Sequence, residues 1–238
     1  VNDTRSGPGH LTSAILGGLV GALLTAALLV LVVPQYLSGR IVRNGILADP
    51  QILVDAGEAL RDRQYAPLLA QHRAAIETPF GTSWKGSSKP DVTLVEFYDY
   101  ACPYCKGSND DLEKLIREDP GVRVVYREFP ILGPQSVTAA RLSLAASKAG
   151  RFTQFHDTLW EAGKPGPETL AVASKAAGID PKPQESADVE AELKKNFELA
   201  SALGATGTPL FIIGDRVINS AVGYDELKRA VAMARKGE

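Results

Sequence analysis

The 238-residue sequence predicts an α/β domain whose elements run βαβ, helical block, ββα, after an apolar span and a short helical arm. Three observations carry that expectation. Val92–Tyr98 and Val122–Tyr126 are nearly continuous apolar, β-branched runs, the pattern of strands buried on both faces. Between them Leu112, Leu115 and Ile116 share one side of a helical pattern that ends at Pro120–Gly121, so the strands form a parallel pair with a crossover helix. Far downstream, Leu210–Ile213 and Arg216–Ile218 flank Gly214–Asp215, the signature of a tight hairpin.

Taken in order, residues 1–10 are a tail. From Leu11 to Val33 no charge occurs, and at ~1.5 Å per residue this run crosses a hydrocarbon core of roughly 30 Å. A secretory signal has a shorter apolar stretch, about 7–15 residues. The expectation is therefore a single-pass transmembrane anchor, or an uncleaved signal, over 11–34. Arg40 and Arg43 follow it and Arg5 with Asp3 precede it, which leans towards a cytoplasmic C-terminal part. The family resemblance given below implies the opposite side. Asp49–Pro50 is a helix-start signal. Leu53, Ala56 and Leu60 mark a first helix, and Leu68, Leu69, His72 and Ile76 a second. Two such helices enclose no core, so 35–80 reads as an arm for docking or for self-association through 44–77. Residues 81–90 read as a Gly/Ser/Pro-containing linker, and 91–238 as the folded domain. Its helical block, Ser136–Lys148, Phe152–Trp160, Glu168–Ala177 and Val189–Ala202, forms an insertion over about 133–204. Leu227, Val231 and Ala234 mark a last amphipathic helix.

Composition narrows the chemistry. A net charge of −2 provides no general basic surface for nucleic acid. The chain has two cysteines, Cys102 and Cys105, which excludes a disulfide-stapled scaffold and a four-thiolate zinc site. His10, His72 and His156 show no metal-ligand spacing, and no metal is expected. Cys102-Pro103-Tyr104-Cys105 follows the first strand and opens a helix. Two thiols at that spacing close a small disulfide ring, and the free N–H groups and positive dipole end favour the thiolate of the first. Cys102 is then the attacking sulfur and Cys105 the resolving one. No cofactor is expected beyond a redox-active Cys102–Cys105 disulfide. Glu96, inside the apolar strand, is a candidate to relay the proton of Cys105, the alternative being a satisfied structural carboxylate. Thr208–Pro209 precedes a strand. A cis bond there would lay the turn against the cysteines, whereas a trans proline would simply open an edge strand.

The segment Val95-Glu96-Phe97-Tyr98-Asp99-Tyr100-Ala101-Cys102-Pro103-Tyr104-Cys105, with Gly207-Thr208-Pro209 downstream, resembles the DsbA branch of the thioredoxin superfamily. The resemblance covers about Asp91 to the C-terminus and implies a thioredoxin-like fold carrying the helical insertion. It implies Cys102 as nucleophile, Cys105 as resolving thiol, Glu96 as buried acid, and Thr208–Pro209 as a cis-proline loop that binds substrate backbone. Pro103 and Tyr104 then belong to the substrate-binding side. Arg127-Glu128-Phe129-Pro130-Ile131-Leu132, and the arm from Asp49 towards Glu77, are similar to the suppressor-of-copper-sensitivity (ScsC-like) subgroup. In some of its members the arm drives oligomerisation and the enzyme is a disulfide isomerase. Tyr104 stands where the best-known oxidase of the family has His, and a neutral Tyr supplies less help to the Cys102 thiolate. The resemblance implies an inner-membrane protein with its catalytic domain in the periplasm or cell exterior. Its partners would be unfolded or misfolded client proteins and a membrane redox partner. Two other functions use the same residues: a reductase fed by a membrane electron donor, and a holdase in which the cysteines are incidental.

Overall fold

The computed structural model describes residues 21–23, 25–28, 33–182 and 186–237. Most of the 11–34 run lies outside the described residues, although 21–23 and 25–28 are helical. Among the described residues no helix is long and apolar enough to cross a membrane.

The chain forms two compact units, 1–59 and 60–238. In the first, α1 (Val33–Ala48) is followed by the start of α2 (Gln51–Glu77). Asp49 Oδ1 accepts the Gln51 backbone N–H at 3.2 Å, so the predicted start signal works as a cap. Ile41, Val42, Leu47, Ile52, Leu53 and Val54 are all exposed. The two predicted arm helices are instead one helix that runs through Pro67. Its later part, from Leu60, belongs to the second unit, where Leu69 and Ile76 are buried.

The second unit is built on a five-stranded sheet in the order β1-β3-β2-β4-β5. β2 (Val92–Tyr98) and β3 (Val122–Glu128) are parallel, joined by α3 (Pro103–Glu118). β4 (Leu210–Ile213) and β5 (Arg216–Ile218) form the predicted hairpin, antiparallel to β2 through β4. Gly214 in its turn has φ +60°, a conformation open to glycine at no steric cost. β1 (Trp84–Gly86), antiparallel to β3, lies in the stretch expected to be a linker. Four helices fill the insertion: α4 (Pro134–Lys148), α5 (Phe152–Ala162), α6 (Pro167–Ala177) and α7 (Ala187–Ala202). α8 (Tyr224–Lys236) closes the chain.

Strand alternation divides the core. Leu94, Tyr98, Val122, Val124 and Tyr126 face α3, α5 and α8. Val95, Phe97 and Val125 face the other way, onto Leu69 and Ile76 of α2 and Leu199 and Ala200 of α7. Arg127 lies on this second face, 1% exposed. Its Nε donates to Ile76 O at 2.8 Å, and its Nη2 donates to Thr78 O at 2.7 Å and to Ala75 O. Its Nη1 donates to Glu192 Oε1 at 2.7 Å and to Asn196 Oδ1 at 2.8 Å. All five guanidinium N–H groups are thus used, and three of them cap carbonyls at the end of α2, which a helix terminus leaves without partners. At the far end of the sheet Arg235 of α8 pairs with Asp91 at 2.9 Å and Asp119 at 2.6 Å, just ahead of β2 and β3.

Removing the guanidinium leaves Glu192 buried and the α2 carbonyls uncapped. Arg127→Met is expected to lower unfolding stability by about 3–5 kcal/mol, measured by urea denaturation. Adding Glu192→Leu should recover part of that loss.

Candidate functional site

β2 and the first turn of α3 place the two thiols. Cys102 is the N-cap of α3, with φ −81° and ψ 119°, and Pro103 takes the first helical position, where the absent N–H costs nothing. The Cys102 N–H donates to Asp99 O at 3.0 Å, and its carbonyl accepts Lys106 N–H at 3.2 Å. Both sulfurs are thiols in this structure. Cys102 is 5% exposed and Cys105 is fully covered, so a reacting partner approaches from the Cys102 side.

The Thr208–Pro209 peptide is cis. The Cys102 thiol donates to Thr208 O at 3.3 Å, which joins two segments 106 residues apart in sequence. Pro209 is buried and Thr208 half-buried, while Pro103 and Tyr104 face solvent. Cys102 and the Thr208 carbonyl are thus in contact, and Pro103 and Tyr104 follow Cys102 in the first turn of α3.

Glu96 lies on the β2 face shared by Leu94 and Tyr98, 2% exposed, and its Oε1 has no hydrogen-bond partner. Burial pushes its carboxyl well above the usual range, with the Cys102 and Glu128 charges adding to the rise. Burial also pushes the Cys105 thiol far up, reinforced by the Glu96 charge. Both groups thus resist ionisation, and the charge of Glu96 is felt at Cys105.

Several residues of the site were not recognised in the sequence as functional. Asp99, 1% exposed, accepts the Ala101 N–H at 2.8 Å on Oδ1. On Oδ2 it accepts those of Ile131 at 2.8 Å and Leu132 at 2.9 Å. It ties the turn before Cys102 to the tip after β3, whose Ile131 and Leu132 are exposed. The local signal was an Asp two residues before the amide it caps, the mark of an Asx-turn. Tyr100 Oη meets His156 Nδ1 at 2.9 Å and Ser143 Oγ at 3.1 Å. His156 Nε2 in turn meets Asn109 Oδ1 and the Trp160 indole N–H, both at 3.1 Å. This chain joins α3, α4 and α5 behind the thiols. Burial pushes the His156 pKa well below its usual value, so the imidazole stays neutral. His72 is half-buried on α2, and His10 lies outside the described residues. Among the described residues no group of three or more His, Cys, Asp or Glu is placed to hold a metal ion.

Asp99→Ala strands the Ile131 and Leu132 amides. The expected result is a loss of about 1–3 kcal/mol and collapse of hydrogen-exchange protection at those two amides, measured by NMR.

Known proteins resemble this chain. The DSBA-like thioredoxin domain matches residues 93–232. The disulfide bond formation protein D of Bacillus subtilis is 29% identical over 171 residues, covering 64% of this chain and 77% of the relative. The Na(+)/H(+) antiporter NhaA 1 of Salinispora arenicola also matches, at 26% identity over 64% of this chain, and the aligned part spans 24% of the antiporter's length. Among solved structures, a periplasmic thioredoxin-like protein from Salmonella enterica serovar Typhimurium superposes with a TM-score of 0.64 at 32% identity, covering 69% of this chain and 95% of that one. The catalytic domain of Proteus mirabilis ScsC superposes with a TM-score of 0.66 at 29% identity, covering 72% and 99%. With the CPYC turn and the cis Thr208–Pro209 loop in contact, the chain belongs to the DsbA-like thioredoxin family of thiol–disulfide oxidoreductases and is ScsC-like within it.

Proposed function

We propose that this chain is a membrane-anchored, extracytoplasmic thiol–disulfide oxidoreductase that forms or rearranges disulfides in client proteins through Cys102 and Cys105. The observation that carries this reading is the Cys102 thiol at the start of α3, 3.3 Å from the Thr208 carbonyl beside cis-Pro209. A client backbone laid along that loop brings its own sulfur to Cys102. In the oxidising direction a client thiolate attacks Cys102 of the Cys102–Cys105 disulfide. The old S–S bond breaks, its electron pair goes to Cys105, and Glu96 supplies the proton. A second client thiolate then attacks the client sulfur of the mixed disulfide and releases Cys102. The client has lost two electrons and the enzyme has gained them, to be passed to a membrane redox partner. In isomerisation reduced Cys102 attacks a wrong disulfide, and Cys105, giving its proton to Glu96, frees a client that stalls. Potential and partner set the direction.

The apolar 11–34 run supports the anchor, and likeness to a periplasmic protein supports the extracytoplasmic side. The exposed Leu47, Ile52, Leu53, Val54 and Leu60 support self-association through 44–77, because apolar side chains at this density seek cover. A clean monomer at micromolar concentration in sedimentation of the full chain in detergent would remove that part of the reading.

The deciding experiment follows the disulfide of the full chain across glutathione buffers of known potential. A potential at the oxidising end of the family's range is expected. A strongly reducing value would make the protein a reductase fed by a membrane donor. Cys102→Ser should abolish client turnover, and Cys105→Ser should accumulate a mixed disulfide on Cys102, seen by mass spectrometry. A double Ser variant that still suppresses client aggregation while the native pair never closes would favour the holdase.

A further inference from the structure

Glu128 ends β3, and the reaction above gives it no task. The parallel register sets Glu96 opposite Tyr126 and Tyr98 opposite Glu128. The two glutamates are therefore diagonal neighbours on adjacent strands and face the same core. Each is 2% exposed. Glu128 Oε1 accepts the Tyr98 hydroxyl, while Glu128 Oε2 and Glu96 Oε1 have no partner. A carboxylate enclosed in this way, facing only neutral hydroxyl donors, is costly to ionise, and the neutral acid is not. A sheet interior that needed only packing would hold a leucine here at lower cost.

We propose that Glu128 is a second proton-holding carboxyl of the thiol site, a positioning residue that acts through Glu96 by setting the negative charge behind the cysteine pair. The inference rests on the redox reading above. The groups facing Glu128 are Tyr98 and Glu96 from β2, Asp99 and Tyr100 from the following loop, and Ser143 from α4. The neutral His156 of α5 packs on the Tyr98 ring. Burial raises the Glu128 carboxyl to about 8; the Ser143 and Tyr98 hydroxyls restrain the rise and the Asp99 charge adds to it. Below that pH Glu128 is neutral. Above it the charged Glu128 stands beside Glu96, which then holds its own proton more tightly. When a client sulfur bonds to Cys102 and the Cys102–Cys105 bond breaks, the departing Cys105 sulfur takes its proton from Glu96 less readily. Glu128 thus makes disulfide opening fall away on the alkaline side.

Because the folded-state pKa of Glu128 is raised, its contribution to stability is complete below its ordinary 4.5 and is lost as pH rises through about 8.

The test uses the full chain, the Glu128→Gln and Tyr98→Phe variants, and reduced glutathione as the thiol probe. Opening of the disulfide is followed in single turnover from pH 6 to 10, with rates corrected for ionisation of glutathione. In the native chain the corrected rate should fall about tenfold through pH ~8, the worth of one pKa unit at Glu96. Glu128→Gln should flatten the profile and leave the rate at pH 6 within about twofold, since only a charged Glu128 contributes. Tyr98→Phe should move the fall to higher pH by removing the donor to the ionised form. Infrared spectra of glutamate-labelled protein should show a carboxylic-acid C=O band that titrates near pH 8 and is missing in Glu128→Gln. Superimposed profiles for Glu128→Gln and the native chain, or no band of that kind, would overturn the proposal. A titrating band in a chain whose disulfide never exchanges would uphold the proton on Glu128 and overturn the redox reading instead.

Discussion

The guanidinium of Arg127 is the contact on which the arrangement of the second unit depends. It points to one face of β3, where its five donors hold the end of α2 and the middle of α7. Tyr126 and Glu128, its neighbours in sequence, therefore point to the other face, behind the thiols. A slip of one residue in β3 would send the arginine into the thiol site and the carboxyl into the α2 interface. Both errors would bury a charge without partners. The register of β2 against β3, and with it the place of Glu96 relative to Glu128, is fixed by an interaction on the opposite side of the sheet.

Around the thiols the protein accepts a cost that the rest of the core avoids. Leu94, Val122 and Val124 show what the same sheet face holds toward the other end of the strands. Toward the C-terminal ends of the strands the sequence turns to Glu96, Tyr98, Tyr126 and Glu128, with Asp99 and Tyr100 just beyond. Asp99 is repaid by three backbone amides. The two glutamates are not, which separates a carboxylate that builds the loop from carboxyls that keep their protons.

Much of this was legible in the sequence, and the exceptions have physical causes. The strands β2 and β3, the CPYC turn, the hairpin and the insertion are local patterns long enough to be read. Strand β1 is three residues in a Gly- and Ser-rich stretch. Its strand character comes from pairing with β3 and from the Arg123 guanidinium 4.8 Å from the Trp84 ring centre. Pro67 lies inside the continuous α2, although proline in a helix interior costs about 3 kcal/mol. Burial of Leu69 and Ile76 and the Arg127 caps outweigh it. The proximity of Glu96 to Cys102 could be guessed from six residues of spacing, whereas that of Glu128 depends on a parallel register. The tie between Asp99 and Leu132 spans 33 residues, and nothing local announces it.

The unequal cover of the two sulfurs has a chemical consequence. Peroxides and alkylating reagents reach a protein thiol from solvent, and Cys105 is sealed from solvent with its proton held in place. Damage therefore begins at Cys102. A sulfenic acid formed there lies one helical turn from a waiting thiol, and condensation gives back the disulfide with loss of water. The oxidation that ruins an isolated cysteine in irreversible steps is diverted here into a Cys102–Cys105 disulfide, which a thiol can reduce again, so the burial of Cys105 guards the pair.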